Sequence, residues 1–294
     1  MASNSEKKTP HGENPILPGV GVCSWSLRPT SLGHLIETLQ HAGIDAIQLA
    51  LTPLIQNPGH WADSFARCAE SGITVLSGMA ETVGEDYSSL ESIRKTGGLL
   101  PDDTWPDTLT QLLRVADVAA EGGLELVTLH AGFIPHASDD PRREVVLERL
   151  DKVVSAFTQR GLRIALETGQ ETAATLLDAL ADPRLTEVGV NFDPANMILY
   201  GMGDPVAGLE HLADRVVQVH VKDALPAAAT GVWGSEVPVG SGAVDWPSFF
   251  AAMSKLPRRV DLLVEREAGD QRAEDISTAL DFIEATFSSD GNTN

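Results

Sequence analysis

The amino-acid sequence predicts a single (β/α)8 barrel. Eight short apolar runs typical of β-strands alternate with eight amphipathic segments typical of helices. At four junctions a helix ends in glycine and an apolar strand follows at once, as in Gln40-His-Ala-Gly43-Ile-Asp-Ala-Ile. Glycine suits the left-handed position that closes a helix, so these junctions indicate repeated helix-to-strand units.

The predicted strands are 19–25, 46–51, 73–77, 124–130, 162–167, 188–193, 216–222 and 260–265. The predicted helices are 31–42, 61–71, 105–121, 141–160, 172–181, 204–214, 247–255 and 271–287. An open doubly wound sheet is the alternative, but Cys23-Ser-Trp-Ser-Leu-Arg follows the first strand, where a glycine-rich phosphate loop would stand. A single barrel domain is therefore expected over residues 20–287.

Composition narrows the classes of partner and the compartment. Among 294 residues, 42 acidic and 21 basic side chains give a formal charge of −21, which opposes binding to nucleic acid. Two cysteines, Cys23 and Cys68, give no disulfide framework, so a cytoplasmic location is expected. Residues 1–19 lack the apolar core of a signal peptide and no run is long enough to span a membrane, so 1–19 and 288–294 are expected to be disordered ends.

Two connections are longer than the others. Residues 79–105 follow the third predicted strand and residues 223–246 follow the seventh. Loops after barrel strands emerge on the rim where barrel chemistry occurs, so these two are expected to form walls or a lid.

Four chemically active residues each stand at the end of a predicted strand. They are Glu167, Asp193, His220 and Glu265, at the ends of the fifth to eighth strands. Parallel strands bring their C-terminal ends to one rim, so these side chains are expected to converge. Three carboxylates and one imidazole suit one divalent metal ion, and Mn²⁺, Mg²⁺, Co²⁺ and Zn²⁺ all remain open.

Strand alternation supports an inward orientation of these groups. Gln218, His220 and Lys222 share one face of the seventh strand, and valines occupy the other. A charged group inside a barrel must be paired or ligated, because burying an isolated charge is very costly. Lys222 is therefore either a substrate ligand for an oxygen or a carboxylate, or a salt-bridge partner of Asp223 or of an inward glutamate.

Trp25 is a further candidate near this rim. Its indole either forms an apolar wall against the C–H face of a sugar or belongs to the core.

Five segments, taken in order, resemble the sugar phosphate isomerase/epimerase superfamily, the xylose isomerase-like barrels. They are Leu166-Glu167-Thr-Gly169, Asn191-Phe-Asp193-Pro-Ala-Asn196, Val219-His220-Val-Lys222-Asp223, Gly240-Ser-Gly242-Ala-Val-Asp-Trp246 and Val264-Glu265-Arg-Glu-Ala-Gly269. The resemblance extends from about Val20 to Phe287.

The resemblance implies that Glu167, Asp193, His220 and Glu265 hold one divalent ion, and that Glu167 and Glu265 also act as acid and base on opposite faces of a substrate carbon. It implies a metal-dependent isomerase or epimerase of a small sugar or other polyhydroxy carbonyl compound, working by proton transfer through a metal-stabilised enediolate. His130 ends the fourth strand near where related barrels contact substrate.

The chain also departs from the superfamily pattern at two positions. Asn196 stands where many ketose 3-epimerases carry a substrate-binding histidine, and Gln48 stands where many members carry glutamate. Both departures count against activity on a free ketose at C3.

Three alternatives use the same barrel. A lyase or dehydratase acting on a keto-sugar or keto-inositol would expel a leaving group from the same enediolate. A non-catalytic sugar-binding barrel needs no acid or base. A nuclease of the endonuclease IV type needs extra histidines, and none follows His220 in this sequence. The expected partner is thus a small carbohydrate or polyol-derived substrate, with no nucleic acid or membrane, and a homo-oligomer is compatible with the sequence.

Overall fold

The structure is a computed structural model that describes residues 19–229 and 231–290, with side chains as far as Phe287. The expected disordered ends, 1–19 and 288–294, fall mostly outside these ranges. None of the helices within the described ranges combines the length and hydropathy needed to cross a bilayer.

Eight parallel strands close into a barrel, which confirms the predicted fold class. They are β1 (Val20–Cys23), β2 (Ala46–Ala50), β3 (Thr74–Ala80), β4 (Leu126–Leu129), β5 (Arg163–Glu167), β6 (Gly189–Phe192), β7 (Val216–Val221) and β10 (Asp261–Val264). Each strand pairs with its neighbour in sequence order around the barrel, and β10 closes it against β1. Two short antiparallel strands, β8 (Asp223–Leu225) and β9 (Ser235–Val237), form a separate hairpin after β7.

The helices cover the outside of the barrel or occupy the loops after the strands. They are α1 (Leu32–Ala42), α2 (Thr52–Gln56), α3 (Ser64–Glu70), α4 (Leu90–Thr96), α5 (Trp105–Glu121), α6 (Pro141–Thr158), α7 (Ala173–Leu180), α8 (Pro194–Tyr200), α9 (Pro205–Leu212), α10 (Trp246–Met253) and α11 (Arg272–Asp290).

Three of these helices and the hairpin are absent from the sequence prediction. The helices α2, α4 and α8 are each seven residues or fewer, too short for an apolar periodicity to stand out. Local capping starts two of them. The Ser89 side chain accepts a hydrogen bond from the Ser92 amide at α4, and Asp193 accepts one from the Asn196 amide at α8.

The apolar core lies between the barrel and the outer helices. Fully buried side chains from several helices fill this layer: Leu35, Leu112, Phe157, Leu176 and Phe249. Burying one such side chain contributes about 1.5–3 kcal/mol, so this layer supplies the main driving force for closing the barrel.

The inside of the barrel is filled by hydrogen-bonded polar side chains below the rim. Ser77 donates to Gln218 at 2.6 Å, and Gln218 donates in turn to Asn191 at 3.2 Å. Gln48 donates to Thr128 at 2.9 Å. Because each group has partners, this layer forms a satisfied polar floor rather than a water-filled channel.

Asp223 organises the long loop after β7. Its carboxylate accepts hydrogen bonds from the backbone amides of Ala224, Gly240, Gly242 and Val244 and from the indole of Trp246, at 2.9 to 3.2 Å. A Cβ at Gly242 would overlap the Asp223 carboxylate, so this position requires glycine. One buried side chain thus fixes where the loop returns to the barrel.

Replacing Asp223 with asparagine is expected to lower the free energy of unfolding by at least about 2 kcal/mol. The side-chain volume is kept, but an NH2 group faces donors and leaves some of them unpaired. Urea denaturation followed by far-UV circular dichroism measures the change. The exposed Asp103→Asn variant is the control and should unfold like the parent chain, and equal stability of the two variants would contradict this role for Asp223.

Candidate metal centre

The four strand-end residues come together at the C-terminal mouth of the barrel. Glu167 is the last residue of β5, Asp193 follows β6, His220 lies in β7 and Glu265 follows β10. One ligand atom from each lies within 4.8 Å of those of the other three. His220 Nδ1 is 3.4 Å from Glu167 Oε1, 3.3 Å from Glu265 Oε2 and 3.9 Å from Asp193 Oδ2.

These groups are buried, and two of their atoms lack partners. The four residues are between 0% and 4% exposed. Among the described residues, Asp193 Oδ2 and His220 Nδ1 have no hydrogen-bond partner. Buried polar atoms are nearly always paired, so two orphaned acceptors facing the same point fit a bound cation. The four side chains therefore offer ligand atoms that suit a divalent metal ion.

Gln48 sets the orientation of the His220 ring. His220 Nε2 is 2.7 Å from Gln48 Oε1 and 3.0 Å from Asn191 Nδ2. Because Gln48 also donates through its amide to Thr128 and to the Gly78 carbonyl, its oxygen is left to accept from Nε2–H. With the proton on Nε2 and donated to Gln48 Oε1, the lone pair of Nδ1 points at the three carboxylates, while the Asn191 amide donates to Glu167 Oε2 at 3.4 Å.

Each of the two glutamates is held by its own donors. Asn196 Nδ2 donates to Glu167 Oε1 at 2.8 Å, and His130 Nε2 lies 3.6 Å from the same oxygen. On the other side, the Trp25 indole donates to Glu265 Oε1 at 2.7 Å. Both carboxylates are thus fixed in direction, which favours a defined reaction geometry.

Lys222 lies next to Glu265 at the base of the pocket. Its Nζ donates to Glu265 Oε2 at 2.9 Å and to Glu267 Oε2 at 2.6 Å. Asp223 turns away to its own amide donors, so the inward glutamates, and not Asp223, neutralise this lysine.

The charges in the cluster perturb one another strongly. Burial raises the pKa of Asp193, and Glu265 and Glu167 add to this, so its pKa lies well above the usual value despite Lys222. Burial also raises the pKa of Glu265, but Lys222 and His220 outweigh burial and hold it well below the usual value. The raised pKa of Asp193 is the direction expected for a carboxyl group crowded by two other carboxylates.

A cavity of about 500 Å³ opens directly above this cluster. Both long connections line it, as expected from the sequence: Glu81, Glu85 and Tyr87 come from one, and Trp233, Gly234 and Glu236 from the other. The predicted substrate-contacting residues, His130, Asn196, Lys222 and Trp25, all line it as well. Met79, predicted to begin the first connection, lies in β3.

Several residues of this pocket were missed by sequence reasoning. Glu236 on the hairpin, Glu267 beside Lys222 and the aromatic side chains of Tyr87, Tyr200 and Trp233 are the main ones. Glu267 had a detectable signal, since it shares the strand face of Glu265 by alternation. The loop residues had none, because their position depends on the path of the loop.

Comparison with solved structures gives related barrels. A xylose isomerase domain protein from Planctomyces limnophilus is 30% identical, with a TM-score of 0.83, covering 92% of this chain and 97% of that one. A probable 3-DHS dehydratase, AsbF, from Bacillus anthracis is 15% identical, with a TM-score of 0.67 and coverage of 95% and 100%. An L-ribulose 3-epimerase is 16% identical, with a TM-score of 0.67 and coverage of 93% and 95%.

The last two structures share the fold with this chain at identities too low to carry an activity. A search of the curated proteins found no match. The family model described as xylose isomerase-like TIM barrel matches residues 36–286. The chain therefore belongs to the xylose isomerase-like TIM barrel family.

Proposed function

We propose that this protein is a divalent-metal-dependent isomerase or epimerase of a small sugar or other polyhydroxy carbonyl compound. The observation that carries the proposal is the convergence of four buried side chains at the bottom of a pocket: Glu167, Asp193, His220 and Glu265. Two of their atoms, Asp193 Oδ2 and His220 Nδ1, have no hydrogen-bond partner among the described residues. Membership of a barrel family with sugar epimerases among its structural neighbours supports an enzyme of this general kind.

The four residues would hold one ion, for which Mn²⁺, Mg²⁺, Co²⁺ and Zn²⁺ are candidates. When bound, such an ion supplies positive charge that stabilises the negative charge developing on a substrate oxygen during proton removal.

Glu167 and Glu265 are the proposed acid and base. They flank His220 from opposite directions around the barrel, since β6 and β7 separate β5 from β10. One carboxylate takes a proton from the carbon beside the carbonyl, and the other returns a proton from the far side. Lys222 donates to Glu265 at 2.9 Å, which favours the ionised form of this carboxylate, the form that a base needs.

The remaining pocket residues would position the substrate. His130 and Asn196 stand beside Glu167 and can bind substrate oxygens that approach this carboxylate. Trp25 lies on the Glu265 side, where its ring offers an apolar surface to the C–H face of a sugar.

Both cysteines are free and buried, which supports the expected cytoplasmic location.

Dehydration is the second candidate reaction. A probable dehydratase among the structural neighbours supports it, and the Lys222 ammonium can donate a hydrogen bond to a departing hydroxyl group. The two reactions differ in their products, since elimination loses water and epimerisation does not.

Metal analysis followed by a deuterium-exchange screen tests the proposal. The purified protein is loaded with each candidate ion, incubated in D2O with a panel of ketoses and keto-inositols, and followed by NMR. Label at one carbon without loss of mass supports isomerisation or epimerisation, and loss of water supports dehydration. A protein that binds none of the ions would contradict the proposal.

Glu167→Gln and Glu265→Gln are each expected to slow turnover of the identified substrate by at least about a hundredfold. Each change removes a positioned acid or base, whose contribution is typically of this size or larger. The rate of deuterium incorporation measures the loss, and the exposed Glu121→Gln variant serves as the matched control. If either pocket variant kept the parent rate, that glutamate would have no part in proton transfer.

Gln48→Leu is expected to weaken metal binding by about 10- to 100-fold, the usual effect of removing a partner of a metal-binding histidine. Leucine cannot accept from His220 Nε2–H, so the ring loses its fixed tautomer and direction. Isothermal titration with MnCl2 measures the affinity. Gln159→Leu, at the exposed residue that follows α6, controls for the substitution itself, and an unchanged affinity in Gln48→Leu would remove Gln48 from this role.

A further inference from the structure

The lining of the pocket is strongly acidic. Six glutamates face the cavity: Glu81, Glu85, Glu167, Glu236, Glu265 and Glu267. Among the described residues that line it, Lys222 is the one side chain with a permanent positive charge. A divalent ion and Lys222 together supply three positive charges, so the wall retains an excess of acidic groups.

The positive charge of Lys222 is already neutralised. Its ammonium lies 2.9 Å from Glu265 and 2.6 Å from Glu267, with Glu236 at 3.8 Å and Asp193 at 3.9 Å. An anionic group of a substrate would have to displace one of these carboxylates in a buried place. That exchange is costly at Glu265, Glu236 and Asp193, because these side chains are at most 7% exposed and a displaced carboxylate would stay buried and unpaired. The side chain of Glu267 is 52% exposed and is the one that could turn to solvent.

Arg266, behind the pocket wall, is also paired with carboxylates. Arg266 Nη1 donates to Glu236 at 2.7 Å and its Nε donates to Asp275 at 2.9 Å. It stands behind Glu236 and does not line the cavity. Its charge serves to keep the hairpin glutamate in place and is not presented to a ligand.

The outer part of the pocket carries carboxylates without cationic partners. Glu85 accepts hydrogen bonds from Thr82 at 2.7 Å and from Tyr87 at 3.2 Å, so only neutral groups hold it. The side chain of Glu81 lies nearby. Burial, together with the charges of Glu85 and Glu267, raises the pKa of Glu81, as expected where negative potential accumulates.

We infer that this pocket binds uncharged sugars and discriminates against their phosphate esters and against sugar acids, through the glutamates at its mouth. The inference rests on the proposed function, since it names the substrate class of the same site. It narrows that class by charge. A phosphate dianion entering past Glu81 and Glu85 meets like charge, and the described residues that line the pocket offer it no unpaired lysine or arginine.

The test compares neutral sugars with their own phosphate esters on the Co²⁺-loaded full-length protein. D-Fructose and D-xylulose are titrated against D-fructose 6-phosphate and D-xylulose 5-phosphate, and binding is followed by the visible spectrum of Co²⁺. The concentration of sugar that gives half of the spectral change is expected to be at least about tenfold lower for each parent sugar than for its phosphate ester. Raising the ionic strength should narrow this ratio, because salt screens repulsion at the open mouth.

The double variant Glu81→Gln/Glu85→Gln locates the effect. It should reduce the preference for the neutral sugar at least about threefold, because two like charges leave the entrance. The control Glu37→Gln/Glu70→Gln removes the same charge from exposed helix positions and should leave the preference unchanged. Equal shifts in both variants would assign the effect to the overall charge of −21 and overturn the role of the pocket.

Other outcomes separate this inference from the proposed function. Esters that bind as tightly as their parent sugars, or more tightly, would overturn the inference and leave the metal-dependent chemistry standing. Failure to bind Co²⁺ would contradict the proposed function. In that case the metal-free protein is titrated by calorimetry with D-fructose and with D-fructose 6-phosphate. Binding of the phosphate ester would overturn the inference. Measurable binding of D-fructose without binding of its ester would support the inference. A protein that bound neither sugar form would also overturn it.

Discussion

The central constraint on this molecule is the concentration of buried negative charge at the mouth of the barrel. Glu167, Asp193 and Glu265 meet within a few ångströms of one another, and an isolated carboxylate is very costly to bury. Three features of the surrounding structure offset this cost. They are a buried lysine, neutral hydrogen-bond donors such as Asn196 and Trp25, and a geometry that suits a bound cation. The position of nearly every polar side chain near the rim follows from it.

Beneath the rim, a second set of polar groups makes the cluster rigid. The floor of the barrel links Ser77, Gln218 and Asn191 by hydrogen bonds, and Asn191 reaches His220. A histidine with mobile neighbours could present either nitrogen upward. Here Gln48 leaves one tautomer favourable, so the direction of the Nδ1 lone pair is set by residues that never touch a ligand.

The barrel and the four clustered residues could be predicted from the sequence, because both depend on local patterns. Each strand is a short apolar run, and parallel strands must end on one rim, so Glu167 and Glu265 meet although 98 positions separate them. The roles of these residues in binding metal and moving protons stay predictions.

Other features depend on long-range contacts and could not be read from the sequence. Glu236 reaches the pocket because the β8–β9 hairpin brings it to 3.8 Å from Lys222, and nothing near Glu236 in the sequence indicates that path. Lys222 had two candidate partners, and only the three-dimensional arrangement shows that Asp223 faces the loop amides while the inward glutamates hold the ammonium.

The way in which Asp223 secures its loop bears on how such barrels diversify. Four of its five donors are backbone N–H groups, which every residue except proline possesses. The anchor consequently places little demand on the identity of side chains between the hairpin strands. Natural variation or engineering can therefore exchange Val232 or Trp233 while the C-terminal mouth of the barrel keeps its architecture.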